Sequence, residues 1–114
     1  MKRAGTVGRV LSGAIFASLA GVGLALFAAE PHPSDTFRQY CAKCHGEDGK
    51  AQTPKGKKMK ARDFTDADFQ QHKTDAQIVD AITNGTEHDM PPFGKVLSAD
   101  QIQSLVPDVR GFAR

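Results

Sequence analysis

The sequence predicts an all-α domain of three to four short helices joined by long loops, on three observations. Apolar residues recur at helical spacing in three separate stretches, around Phe37–Cys44, Ile78–Ile82 and Ile102–Val109. No stretch alternates apolar and polar residues as a half-buried strand does. The connections are rich in glycine and proline, and they are too long for so small a domain to hold without an internal support.

The first 29 residues stand apart. Lys2, Arg3 and Arg9 open the chain, and from Val10 to Ala29 there is no charge. That is the layout of a secretory leader, a basic opening followed by an apolar run. As a helix, residues 10–29 rise about 30 Å, the thickness of a bilayer's hydrocarbon core, so a retained membrane anchor competes with cleavage. Ala28 and Ala29 offer a cleavage position, but Leu26 and Phe27 stand where a small side chain is expected two residues earlier. Gly13, Gly21 and Gly23 dilute the run as an anchor. Either outcome places residues 30–114 outside the cytoplasm, soluble in the periplasm or tethered to the membrane. These 85 residues make one small domain whose core is marginal unless something staples it.

Within that domain Pro31 and Pro33 lead to Ser34, which caps a helix whose first turn carries Asp35. Phe37, Tyr40, Cys41 and Cys44 share one face of it, and Gly46 stops it. The segment from Gly46 to Arg62 reads as a loop, with three glycines, Pro54 and only Met59 as a large apolar residue. A brief helical turn is expected from Asp66 to Gln71. A better helix runs from its cap Thr74 to Asn84, stops at Gly85 and buries Ile78, Val79 and Ile82. Met90-Pro91-Pro92-Phe93-Gly94 must follow an extended path. Ser98 caps the last helix, whose Ile102, Leu105, Val106 and Val109 face inward and which Pro107 should kink or end early.

Charge excludes one class of partner. Of 15 Lys and Arg, three lie in the leader, which leaves 12 against 13 Asp and Glu in the domain. Nucleic acid requires a clear basic excess, which the domain lacks, and there is no Trp and one Tyr.

The chemistry concentrates in Cys41-Ala42-Lys43-Cys44-His45. In an oxidising compartment a pair of thiols is bridged, metallated or consumed by covalent chemistry. A Cys41–Cys44 disulfide is one alternative. A thioredoxin-like redox pair needs a βαβ setting that is missing, and a zinc site needs four ligands where only one pair is present. Cys-x-x-Cys-His is the pattern of covalent haem attachment. One helical turn presents both thiols to the two vinyl groups on one edge of a porphyrin, and His45 follows to ligate the iron. The expected cofactor is therefore one haem c, bound through Cys41 and Cys44. A second axial ligand must come from Met59, Met90, His32, His72 or His88. Met90 stands out because Pro91 and Pro92 stiffen its loop and Phe93 can pack on the porphyrin; His88 is its main rival.

The order of these segments resembles the class I cytochrome c family from Asp35 to about Arg110. The resemblance rests on Phe37-Arg-Gln-Tyr40 before the haem box, Gly46-Glu-Asp-Gly49 after it, Thr74 to Gly85, Met90-Pro-Pro-Phe-Gly94, and Leu97-Ser-Ala-Asp-Gln-Ile102. It implies an all-α fold wrapped around haem with His45 and Met90 as axial ligands. It also implies that the Pro54 carbonyl accepts a hydrogen bond from the other nitrogen of His45, fixing the imidazole. The chain departs from the family in its last helix, where Pro107 and Asp108 stand in place of a small residue and a large aromatic. That weakens the contact with the first helix unless Phe112 replaces it.

Iron held by His and Met has no open position, and thioether sulfur favours the ferrous state. The expected role is an electron carrier rather than an enzyme: a monomer that docks transiently on exported or membrane-bound redox proteins. Lys55, Lys57, Lys58, Lys60 and Arg62 form either a solvated loop face or a steering patch for an acidic partner. Two other readings stay open. One is a haem subunit of a larger respiratory complex; the other is a ligand-binding sensor or enzyme in which Met90 dissociates.

Overall fold

In the computed structural model, residues 5, 8, 13–18, 20–23, 32–87 and 89–114 are described. The leader expected over residues 1–29 falls largely outside them. Among the described residues no helix is long and apolar enough to cross a membrane, and there is no strand.

The helices are α1 (Asp35–Tyr40), α2 (Ala42–His45), α3 (Pro54–Lys58), α4 (Ala67–His72), α5 (Asp75–Asn84) and α6 (Ala99–Gly111). Their starts follow from local chemistry. Ser34, Thr53, Asp66, Thr74 and Ser98 each accept a hydrogen bond from a first-turn amide. At Thr74 and Ser98 a glutamine three residues on, Gln77 and Gln101, reaches back to the cap's own amide and completes a capping box.

The helix expected from Ser34 to Gly46 divides at Cys41, whose φ of −113° departs from helical geometry. The ladder survives the division. The Cys41 amide donates to Phe37, and its carbonyl accepts from Cys44 at 3.1 Å and His45 at 3.0 Å. The stretch expected to be pure loop, Gly46–Arg62, contains α3. Pro54 at its first turn and the Thr53 cap suffice to start one turn of helix there.

α6 packs on α1 and α5. Phe37 and Leu105 are fully buried, with Ile78, Ile82, Leu97, Ile102, Val106, Val109, Phe64 and Phe112 around them. Pro107 does not end α6, which runs on to Gly111. Pro107 and Gln103 both lie on the exposed face. The Gln103 carbonyl, deprived of its helical partner, faces water there, so the loss is tolerated.

The residues that depart from the family pattern hold the helix contact by other means. Asp108 accepts hydrogen bonds from the Ser34 amide at 2.9 Å and the Ser34 hydroxyl at 2.5 Å, tying α6 to the cap of α1. Phe112 supplies the aromatic contact, its ring 5.3 Å from that of Phe37. Arg110 closes the other side of α6. It meets Asp75 at 2.8 Å and donates to the carbonyls of Gln70 and Lys73.

Candidate functional site

His45 closes α2, and its side chain is buried, 8% exposed. Its Nδ1 lies 2.9 Å from the carbonyl of Arg62. A carbonyl only accepts, so Nδ1 carries the proton and the lone pair stands on Nε2. Burial lowers the imidazole pKa, and the Arg62 hydrogen bond opposes that only in part. The ring is therefore neutral near pH 7, the form in which histidine ligates metal. Phe64 stacks on it, the centroids 4.2 Å apart and the planes inclined by 17°.

The acceptor is Arg62 and not Pro54, which corrects the expectation. Pro54 occupies the first turn of α3 and is exposed. Its carbonyl points along its own helix axis, as carbonyls of a first turn do. The segment behind Lys60, whose φ is +51°, brings Arg62 back to the histidine instead.

α3 contributes in a different way. Thr53 Oγ1 donates to the Cys44 carbonyl at 2.7 Å and accepts from the Gly56 amide at 2.9 Å. A Cβ on Gly56 would lie 2.2 Å from the same Cys44 carbonyl. Glycine at 56 is what lets α3 lie directly on the Cys41–His45 segment.

Cys41 and Cys44 are free thiols, both half-buried. Burial, with smaller contributions from the carboxylate of Asp108 and from Cys44, pushes the Cys41 thiol up to about 12. An uncharged sulfur is favoured at that position. The sulfur of a thioether is uncharged and suits that position. Among the described residues no group of three or more His, Cys, Asp or Glu is arranged to hold a metal ion. Two thiols one turn apart and a neutral imidazole with a free Nε2 are a donor set that fits a covalently attached haem.

Met90 is half-buried and packs against the core, as does Phe93, whose ring meets Tyr40 edge-on at 6.2 Å. Their loop is stitched to the end of α5. The Thr86 amide donates to Met90, Phe93 to Ile82 and Gly94 to Thr83, at 3.1, 2.8 and 3.0 Å. Gly85 makes this closure sterically feasible. It has φ +74°, and a Cβ there would lie 2.6 Å from the Met90 carbonyl. Of the rivals, His32 and His72 are exposed, and His72 bonds to Asp68 on the surface of α4. Met59 closes α3 outside the core cluster. His88 lies outside the described residues.

Sequence reasoning missed Arg62, Phe64, Thr53 and Gly56. Arg62 acts through its backbone, which leaves no trace in residue type. Thr53-Pro54 is a helix-start signal, and Phe64 is an isolated large apolar residue in a polar stretch. Both could have been found.

The profile described as cytochrome c oxidase, cbb3-type, subunit III, matches residues 28–107. The cbb3-type cytochrome c oxidase subunit FixP of Azorhizobium caulinodans is 35% identical over 88 residues, which is 77% of this chain. The match spans only 29% of that relative's length. Among solved structures, the KustC0563 c-type cytochrome is 40% identical with a TM-score of 0.65, over 68% of this chain and 93% of that one. A chain of the Kuenenia stuttgartiensis reducing HAO-like protein complex Kustc0457/Kustc0458 is similar in fold, with a TM-score of 0.57 at 24% identity. It is matched over 75% of this chain and 45% of that one.

Proposed function

Since this chain belongs to the cbb3-type cytochrome c oxidase subunit III family and is a class I c-type cytochrome, we propose that it transfers single electrons through one haem c on Cys41 and Cys44, with His45 and Met90 as axial ligands. A haem held in this way supplies a one-electron iron couple. The observation that carries the reading is the preparation of His45: buried, hydrogen-bonded at Nδ1 to Arg62, stacked on Phe64 and adjacent to two free thiols.

The chain's own residues account for the rest. Cys41 and Cys44 would hold the macrocycle. Met90 offers a weak, soft sulfur donor, and the hydrogen bonds that tie its loop to α5 lower the entropy lost in holding it there. Phe93 and Tyr40 give apolar cover. If His45 and Met90 both ligate the iron, the site would suit outer-sphere transfer rather than substrate chemistry. On this reading residues 1–29 export the domain, as a cleaved leader or a retained anchor.

Docking is transient and electrostatic. Lys55, Lys57, Lys58, Lys60 and Arg62 are exposed, with no acid between Lys50 and Arg62 in the sequence. None forms an ion pair among the described residues. Such a face steers an acidic redox protein. Similarity to FixP favours a second reading, in which the domain is the haem module of a membrane oxidase assembly. Co-purification with a stable membrane partner distinguishes that from a free carrier.

Carbon monoxide tests the function. The reduced protein should leave it unbound because Met90 holds the sixth position. A shift of the main absorption band under carbon monoxide would reassign the chain as a ligand-binding haem protein.

A further inference from the structure

Two contacts fix the plane and the tautomer of His45, and both come from one short segment. The Arg62 carbonyl takes Nδ1–H at 2.9 Å, and the Phe64 ring covers the imidazole at 4.2 Å. Asp63 stands between them. Its Oδ1 accepts from the Thr65 amide at 2.8 Å and from the Thr65 hydroxyl at 2.6 Å. The segment is pinned further on. The Phe64 amide donates to Gly49 at 2.8 Å, and the Phe64 carbonyl accepts from Gln70 Nε2 at 2.7 Å.

The Arg62 carbonyl belongs to the peptide plane it shares with the Asp63 nitrogen, so whatever fixes the Asp63 backbone fixes the direction of that carbonyl. An aspartate bonded to the amide two residues on restricts its own φ and ψ. The side chain of Arg62 is exposed and plays no part in this geometry.

We infer that Asp63, through its turn with Thr65, is the positioning residue for the axial histidine and thereby sets part of the haem's reduction potential. The inference rests on the reading of His45 as the iron ligand. A hydrogen bond from Nδ1–H raises the imidazole's donor strength. A stronger donor stabilises ferric iron, so the Asp63 turn holds the potential down.

The test uses the haem-loaded protein and three variants, read by redox titration and by NMR exchange of the His45 Nδ1 proton in the ferrous state. Asp63→Ala should raise the potential, changing the electron-exchange constant against a reference couple about three- to tenfold, or about 28–59 mV for one electron. Exchange of the Nδ1 proton should quicken about tenfold as its bond loosens. Asp63→Asn keeps the acceptor oxygen without the charge and should stay within about twofold of the parent in both readouts. Thr65→Val removes only the hydroxyl bond and should move both in the direction of Asp63→Ala. It also stands in should Asp63→Ala fail to fold.

Equal potential shifts in the Asn and Ala variants, with proton exchange unchanged, would mean that Asp63 acts as a charge alone and would overturn the inference. Silence of both readouts in Asp63→Ala, or in Thr65→Val, would overturn it as well. Hyperfine-shifted His45 ring resonances in the ferric parent separate the two levels. Their absence removes the ligand reading and this inference together. Their presence beside silent variants removes this inference alone.

Discussion

Gly56→Ala sets two ordinary effects against each other. In an isolated helix the change stabilises by about 1 kcal/mol, because alanine loses less backbone entropy. In α3 the new Cβ would sit 2.2 Å from the Cys44 carbonyl oxygen, 2.8 Å from Thr53 Oγ1 and 3.0 Å from the Ala51 carbonyl. Ordinary contact begins near 3.4 Å, and two of the three atoms are backbone, so α3 must lift off α2 by about 1 Å. Lifting stretches the Thr53–Cys44 bond of 2.7 Å and the Ala51–His45 bond of 2.9 Å. Two hydrogen bonds at about 0.5–1.5 kcal/mol each and overpacking of about 1–3 kcal/mol outweigh the helical gain. The net loss is about 2–4 kcal/mol, which lowers the melting temperature of a domain this size on the order of 10–20 °C. The assay is thermal unfolding of the haem-loaded protein, followed at its main absorption band. The visible spectrum at 25 °C should also change, since the displaced carbonyl belongs to the residue before the ligand. A melting temperature equal to or above the parent's would refute the packing of α3 on the haem box.

Other substitutions test neighbouring parts of the account. Gly85→Ala forces a left-handed φ on alanine and presses on the Met90 carbonyl. The far-red band of sulfur on ferric iron should disappear at a lower denaturant concentration than in the parent, with a stability cost of about 1–2 kcal/mol from the backbone alone. Asp108→Ala removes both hydrogen bonds that tie α6 to Ser34. It should cost about 2 kcal/mol, read as a lower urea midpoint. Pro107→Ala restores an amide to an exposed position of α6. Stability should rise by about 1 kcal/mol, or about 4–8 °C; an unchanged or lower melting temperature would mean that the proline costs α6 nothing.

The legible parts of the sequence are those where residue type and local structure coincide. Thr74, Gly85 and Ser98 mark helix ends by the hydrogen bonds they make or the φ they adopt, so α5 begins and ends, and α6 begins, where those residues predict. Ile78, Ile82, Ile102, Leu105, Val106 and Val109 are buried as their helical spacing requires. The bond to His45 was illegible for the opposite reason. Its acceptor is a main-chain carbonyl, which every residue carries, and only the fold decides that Arg62 and not Pro54 supplies it. α3 is too short for periodicity to reveal, and only its Thr53-Pro54 start marks it. Pro107-Asp108 looked like damage to the last helix when read locally. Asp108 in fact makes a contact across the fold, to the cap serine 74 residues away.

The visible spectrum of the purified protein, oxidised and then reduced, tests the central claim most directly. Sharp low-spin bands, together with the weak far-red band in the ferric state, are the predicted result for His45 and Met90 on one covalently held haem. A high-spin ferric spectrum, or low-spin bands without the far-red feature, would contradict Met90 as the second ligand. Absence of haem after expression with the attachment machinery would contradict the account as a whole.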